Sequence, residues 1–303
     1  MVGQNADQSI AIKIIHEENE AREAWRSLSP KHTIYDEWNF RYCYNKYFGF
    51  ELYFFAAYEQ DVLVALLPLV LNNTEKCLEF IGGIFMYDNR VFVKDGKEYA
   101  VPALYNALML PARLHFIVGQ DSFTTSLPVD DYKFTYNLSE VSSFEDFMVK
   151  SFNSKVRNNL KRKIKFMEME QVSVVEDNFS DLDILMDLNI KQFNEKSSFN
   201  KPHRKEIYRD LLGLGYPAHM LSFVVNGKKE AVSLAFVYQD KYIYLNLGKN
   251  IDLYPHLGGY VTLKNIEKAI SLGCKEFDAG IVDLGWKKEW GMIATPECGF
   301  TKM

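Results

Sequence analysis

The dipeptide Asn226-Gly227, set between apolar runs at 220–225 and 230–238, is the tightest local constraint on this chain. A two-residue turn of the type that matches strand twist needs positive φ at both central positions. Asn and Gly tolerate that conformation better than other residues. The flanking runs must therefore pair antiparallel, and 241–247 reads as a third strand. A glycine pair, Gly258-Gly259, then opens a helical stretch at 260–272 that Gly273 closes, and a short strand follows at 275–278. Antiparallel strands followed by a helix and another strand predict a mixed α/β fold, largely antiparallel, with flanking helices.

The first half follows the same plan. A strand at 10–15 precedes helical stretches at 17–28 and 38–47. Runs at 51–58 and 62–71 meet across Gln60-Asp61 as a hairpin. Strands follow at 77–81 and 90–93, separated by Gly82-Gly83, then helical spacing at 98–110 and a buried strand at 114–118. Residues 128–143 are polar and turn-rich, and 138–143 reads as a linker before a helix at Phe144. This divides the chain into units 1–138 and 139–303. The second unit carries helices at 156–169, 182–193 and 205–214 and a strand at 172–176. The pairs 54–71 and 223–238 occupy matching places, so an internal duplication is expected.

Hydrophobic residues make up 48% of the chain and aromatic ones 15%, as in a packed globular protein. The net charge of −5 provides no global field for nucleic acid or anionic lipid, so any anion must be met by a local cluster. Cys43, Cys77, Cys274 and Cys298 lie far apart without metal-like spacing and read as reduced thiols. Residues 1–7 lack a cationic start followed by an apolar stretch, and the longest apolar run, 62–71, is too short for a transmembrane segment. A cytoplasmic protein without a metal is the expectation. No Gly-x-Ser-x-Gly elbow, phosphate-loop signature or His-Glu-x-x-His is present. His203 and His219 have no visible acid partner, so no histidine is assigned.

Three constellations carry possible chemistry. Glycines at a helix start let backbone N–H groups approach an anion, although Gly258-Gly259 is also ordinary turn chemistry. Lys155, Arg157, Lys161, Arg162, Lys163 and Lys165 crowd one amphipathic helix, with Arg157, Lys161 and Lys165 four apart on one ridge. Such a ridge suits a polyanion or is simply a solvated face. Trp286-Lys287-Lys288-Glu289-Trp290 follows a strand end, where a lysine can offset developing negative charge or the tryptophans can merely pack. Asp278, at that strand end, either faces a ligand or fixes the glycine turn by a hydrogen bond.

The second half resembles a known family. The segments Phe144-Glu145-Asp146-Phe147, Lys155-Val156-Arg157-Asn158-Asn159-Leu160-Lys161-Arg162, Asn226-Gly227, Leu257-Gly258-Gly259, Phe277-Asp278-Ala279-Gly280 and Trp286-Lys287-Lys288-Glu289-Trp290-Gly291 occur in its order. They resemble the GNAT-like domain of cellulose-biosynthesis-type acetyltransferases and the related Fem-type peptidyltransferases. Val64-Ala65-Leu66-Leu67-Pro68-Leu69-Val70 and Asp88-Asn89-Arg90-Val91-Phe92-Val93 resemble their upstream region. The resemblance implies two tandem GNAT-like units and transfer of an acyl group from acyl-CoA to a small-molecule or peptide amine. An alternative is Fem-type transfer from aminoacyl-tRNA to a peptide or envelope precursor, and a third is a non-catalytic binding module on the same fold. It implies Lys287 for charge stabilisation, with Lys288 as its substitute, and Asp278 ordering the loop or meeting the amine. Gly258, Gly259, Arg157 and Lys161 would bind the donor. The family's usual Gln/Arg-x-x-Gly-x-Gly/Ala loop is replaced by Tyr254-Pro255-His256-Leu257-Gly258-Gly259, and no helical-arm insertion for tRNA is visible.

Overall fold

Strands in this chain form where apolar residues run continuously or alternate, and tight turns join them. The computed structural model describes residues 10–250, 254, 256–283 and 285–303. The stretch 1–7, read above for a leader, and Pro255 lie outside the described residues.

Elements follow in the order β1 (Ile10–Ile15), α1 (Glu18–Leu28), α2 (Trp38–Phe48), β2 (Glu51–Glu59), β3 (Val62–Asn72), β4 (Cys77–Phe80) and β5 (Phe92–Val93). Next come α3 (Val101–Asn106), β6 (Ala112–Val118), α4 (Ser122–Thr125), β7 (Val129–Asn137), α5 (Phe144–Ser151), α6 (Ser154–Met169), β8 (Ser173–Glu176), α7 (Leu182–Phe193) and α8 (Arg204–Leu212). The last are β9 (Ala218–Val225), β10 (Lys228–Tyr238), β11 (Lys241–Lys249), α9 (Leu257–Ser271), β12 (Glu276–Asp278), α10 (Trp286–Glu289) and β13 (Ile293–Lys302). The fold is mixed α/β, largely antiparallel, with flanking helices.

Asn226 and Gly227 have φ of 50° and 76°, the conformation the β9–β10 turn requires. The β2–β3 turn does the same without glycine, at Gln60 (49°) and Asp61 (61°).

Contacts divide the chain into Met1–Tyr132 with Pro296–Met303, and Lys133–Thr295. In the first unit the strand order is β1-β2-β3-β4-β6-β13, with β5 on β3. In the second it is β8-β9-β10-β11-β12-β7. The two orders correspond strand for strand. Each has four antiparallel strands, a fifth that pairs parallel with the fourth (β4 with β6, β11 with β12), and an antiparallel sixth. The duplication is thus visible in topology, with one twist. The closing strand of the first unit is the C-terminal β13, and that of the second is β7, which comes earlier in the chain.

Both closing strands depart from the sequence reading. Part of the stretch read as turn-rich is β7, where Phe134 and Tyr136 alternate into the core while Asp130 and Asp131 mask the pattern. Residues 296–303 pair with β6 rather than joining the second unit, through Glu297↔Val118 to Lys302↔Ala112. The helix expected at 98–110 shrinks to α3, because Pro102 fixes its start and Pro111 disfavours helical geometry at Leu110.

Cores sit on both faces of each sheet. Along β3, Ala65, Leu67 and Leu69 enter one cluster while Leu66 and Val70 enter the other, the two-residue period of a strand covered on both sides. In the second unit, Phe134, Phe147, Leu160, Leu263 and Phe277 form one core cluster; each such side chain contributes about 1.5–3 kcal/mol by leaving water.

Candidate active site

The parallel pair β11–β12 lasts for three residues, Lys241↔Glu276, Tyr242↔Phe277 and Ile243↔Asp278. Beyond that point β11 continues to Lys249, while the chain after Asp278 turns through Gly280 (φ 69°). A cavity of about 590 Å³ is lined by both parted segments: Tyr244 to Leu247 and Lys249 on one, Ala279, Ile281 and Val282 on the other. Gly258, Gly259 and Thr262 of α9, Asn189 and Gln192 of α7, Lys163 of α6, Trp286, Lys287 and Glu289 of α10 and Trp290 just after it complete it.

A bulge lies on the cavity side of β11. Register with β10 jumps from Leu234↔Asn246 to Ala235↔Tyr244, so Leu245 has no opposite residue. An extra residue of this kind re-aims backbone N–H and C=O groups, commonly beside active sites.

Helix α9 presents its first turn to the cavity. His256 is the N-cap, and Gly258 and Gly259 are the second and third helical residues, whose N–H groups have no partner within the helix. Gly258 is small for a specific reason. A Cβ there would lie 2.1 Å from Lys249 Nζ, so the glycine makes room for that ammonium. A Cβ on Gly259 would sit 3.5 Å from the Trp290 ring, in ordinary contact. Burial lowers the pKa of Lys249 from its usual 10.5, and among the described residues its ammonium has no hydrogen bond or ion pair.

Of the residues singled out in sequence, the structure brings Gly258, Gly259 and Lys287 to the cavity. Lys287 is 5% exposed, and its ammonium donates to Gly280 O (3.2 Å) and Ile281 O (2.6 Å) and lies 5.2 Å from the Phe134 ring. It therefore braces the loop that forms one cavity wall. Asp278 is buried outside the lining: Oδ1 accepts from Gly280 N at 2.7 Å and Oδ2 pairs with Lys133 Nζ at 3.0 Å. Of its two readings, the loop-fixing bond is the one observed.

The other three lie apart. Arg157 donates to Phe152 O at 3.3 Å, Lys161 pairs with Glu145 at 3.5 Å beside a different hollow, and Lys288 is exposed, 3.8 Å from Asp283. The basic helix instead sends Lys163 to the cavity. Sequence reasoning named Lys163 only as one of the basic residues of that helix, and missed Lys249, Gln192 and Tyr244. One signal was available: Gly248 interrupts a strand, which marks a close backbone approach. The backbone of α7 is what approaches there, and Asn189 secures it by donating to Leu247 O at 2.8 Å.

Among the described residues no helix is long and apolar enough to cross a membrane.

Residues 154–288 match the family described as an acetyltransferase (GNAT) domain. No protein of curated function matches the chain in sequence. Three solved structures share its fold over nearly all of both chains. FemX superposes with a TM-score of 0.60 at 11% identity, over 95% of this chain and 96% of its own. L-PGS from Bacillus licheniformis gives 0.61 at 11%, over 95% and 93%. A tandem GNAT protein from the clavulanic acid biosynthesis pathway gives 0.55 at 10%, over 97% of each.

Proposed function

We propose that this chain, which carries a GNAT domain and has the fold of the Fem-type GNAT-like group, transfers an acyl group from acyl-CoA to an amine. The parting of β11 and β12 beyond Ile243 and Asp278 carries this reading. A slot between two strands suits a linear acyl carrier, whose amides can pair with strand edges as an added strand would. The first turn of α9 and Lys249 favour the carrier's phosphates at one part of the same cavity. The Leu245 bulge supplies a backbone N–H suited to the carbonyl oxygen as it gains charge.

In this scheme the amine lone pair attacks the thioester carbonyl carbon and the C–S bond breaks. The proton lost by the nitrogen ends on the departing thiol. Lys287 holds the wall against which this occurs, and Lys163 and Lys249, opposed in the lining by the single carboxylate of Glu289, disfavour a protonated, unreactive amine.

A second reading has a specific observation behind it. FemX and L-PGS are among the structures of the same fold, and α6 presents Lys155, Lys161, Arg162 and Lys165 to solvent, a cationic surface suited to a tRNA carrier. Thermal unfolding with coenzyme A, acetyl-CoA and longer acyl-CoAs separates the two. A dose-dependent rise supports the first reading through ligand linkage. No rise at millimolar ligand, with retention of a charged tRNA that weakens steeply with salt, replaces it by the second.

A further inference from the structure

Two buried polar atoms in the cavity wall have hydrogen-bonding capacity left over. Among the described residues Gln192 Oε1 makes no hydrogen bond, and the Tyr244 hydroxyl meets only Thr262, so its oxygen can still accept; both side chains line the cavity. Buried polar atoms are nearly always paired, so an unpaired one in a cavity wall marks where a ligand group belongs. Around them the uncharged polar side chains are engaged. Thr262 donates to Gly258 O at 3.0 Å, Asn189 Nδ2 to Leu247 O at 2.8 Å, and Ser197 to Asn189 Oδ1 at 2.7 Å. Asn246 donates to the Tyr208 hydroxyl.

We propose that Gln192 and Tyr244 form the subsite that holds the acceptor as a neutral primary amine; this rests on the transferase reading above. A carboxamide oxygen can only accept, so its partner must be an N–H or O–H. A primary amine has two N–H groups, one for Gln192 Oε1 and one for the Tyr244 oxygen, and its lone pair then remains free for attack. Burial raises the tyrosine's pKa, which keeps the phenol neutral, so the pair recognises hydrogen-bonding pattern rather than charge. Phe193, Trp286 and Trp290 line the same cavity and suit an apolar or aromatic body on the acceptor.

The probes are 2-phenylethylamine, 2-phenylethanol and 2-phenylethyl methyl ether, with dissociation constants from ligand-observed NMR. The amine is expected to bind wild type about tenfold more tightly than the ether, which has no donor for a buried acceptor. Gln192→Leu is expected to lose that advantage and leave ether binding unchanged. Gln192→Asn keeps a neutral carboxamide acceptor close to the same place and is expected to keep part of the preference, so loss of folding in the leucine variant still leaves a test. Equal binding of amine and ether, or of amine and alcohol, would overturn the assignment, as would unchanged amine binding by Gln192→Leu. Acetyl-CoA binding measured on the same samples reports on the transferase reading separately.

Discussion

Gly248 and Gly258 lie ten residues apart, and the same substitution at each is predicted to act in opposite directions. A Cβ on Gly248 would stand 2.1 Å from Leu185 O and 2.8 Å from Asn189 N, both backbone atoms of α7. Real contacts do not fall below 3.0 Å, so α7 and β11 must move apart by about 0.9 Å in Gly248→Ala. Overpacking of this kind costs about 1–3 kcal/mol, and each kcal/mol lowers the melting temperature of a unit this size by about 2–4 °C. A fall of about 4–8 °C is therefore expected for a mid-range cost. Because α7 also carries Asn189 and Gln192, ligand binding should weaken too. At Gly258 the obstructing atoms are the far end of Lys249, which can swing away. Alanine is there a better helix former by up to about 1 kcal/mol, so Gly258→Ala should melt no lower than wild type while losing affinity for anionic ligands. Urea and thermal unfolding of the three proteins decide the matter. A Gly248→Ala protein as stable as wild type would refute the packing argument, and a strongly destabilised Gly258→Ala would refute the assignment of that space to a mobile lysine.

Other outcomes follow from the same contacts. Lys287→Met should lower stability by about 1–3 kcal/mol as well as activity, because two loop carbonyls lose their donor; lost turnover at unchanged melting temperature would instead assign it a purely chemical role. Asp278→Asn removes the carboxylate 3.0 Å from buried Lys133 and is expected to cost about 3 kcal/mol in chemical denaturation; a neutral result would contradict the view of this pair as a structural brace. For Lys249, burial lowers the folded-state pKa below 10.5, so between that value and 10.5 the unfolded chain binds more protons and stability rises with pH. Lys249→Met should therefore be more stable than wild type at neutral pH, with the gap narrowing as pH approaches 10.5. A gap independent of pH would show that the ammonium is not desolvated.

Much of this fold is legible locally. The Asn226-Gly227 turn, the apolar run of β3 and the glycine pair before α9 each announce their structure through short-range chemistry. The closing strands do not. β7 begins with Asp130 and Asp131, and β13 contains Pro296 and Gly299, so neither shows a clean alternation; their crossed assignment is a long-range pairing with no local signature. The candidate site divides the same way. Gly258 and Gly259 stand out because their type is unusual at a helix start, whereas Gln192, Tyr244 and Lys249 are single residues on different elements, joined only by the fold. The cationic ridge misled in one respect: charge density on α6 is evident, but which lysine meets the cavity depends on helix rotation, and Lys163 is off the ridge.

Hydrogen exchange with and without acetyl-CoA, resolved by peptide, tests the central claim most directly. Donor binding in the parted strands predicts slowed exchange in 244–249, in the first turn of α9 at 257–261, and in 279–290, with the first unit unchanged. Binding without protection in those segments, or protection confined to the first unit, would contradict it.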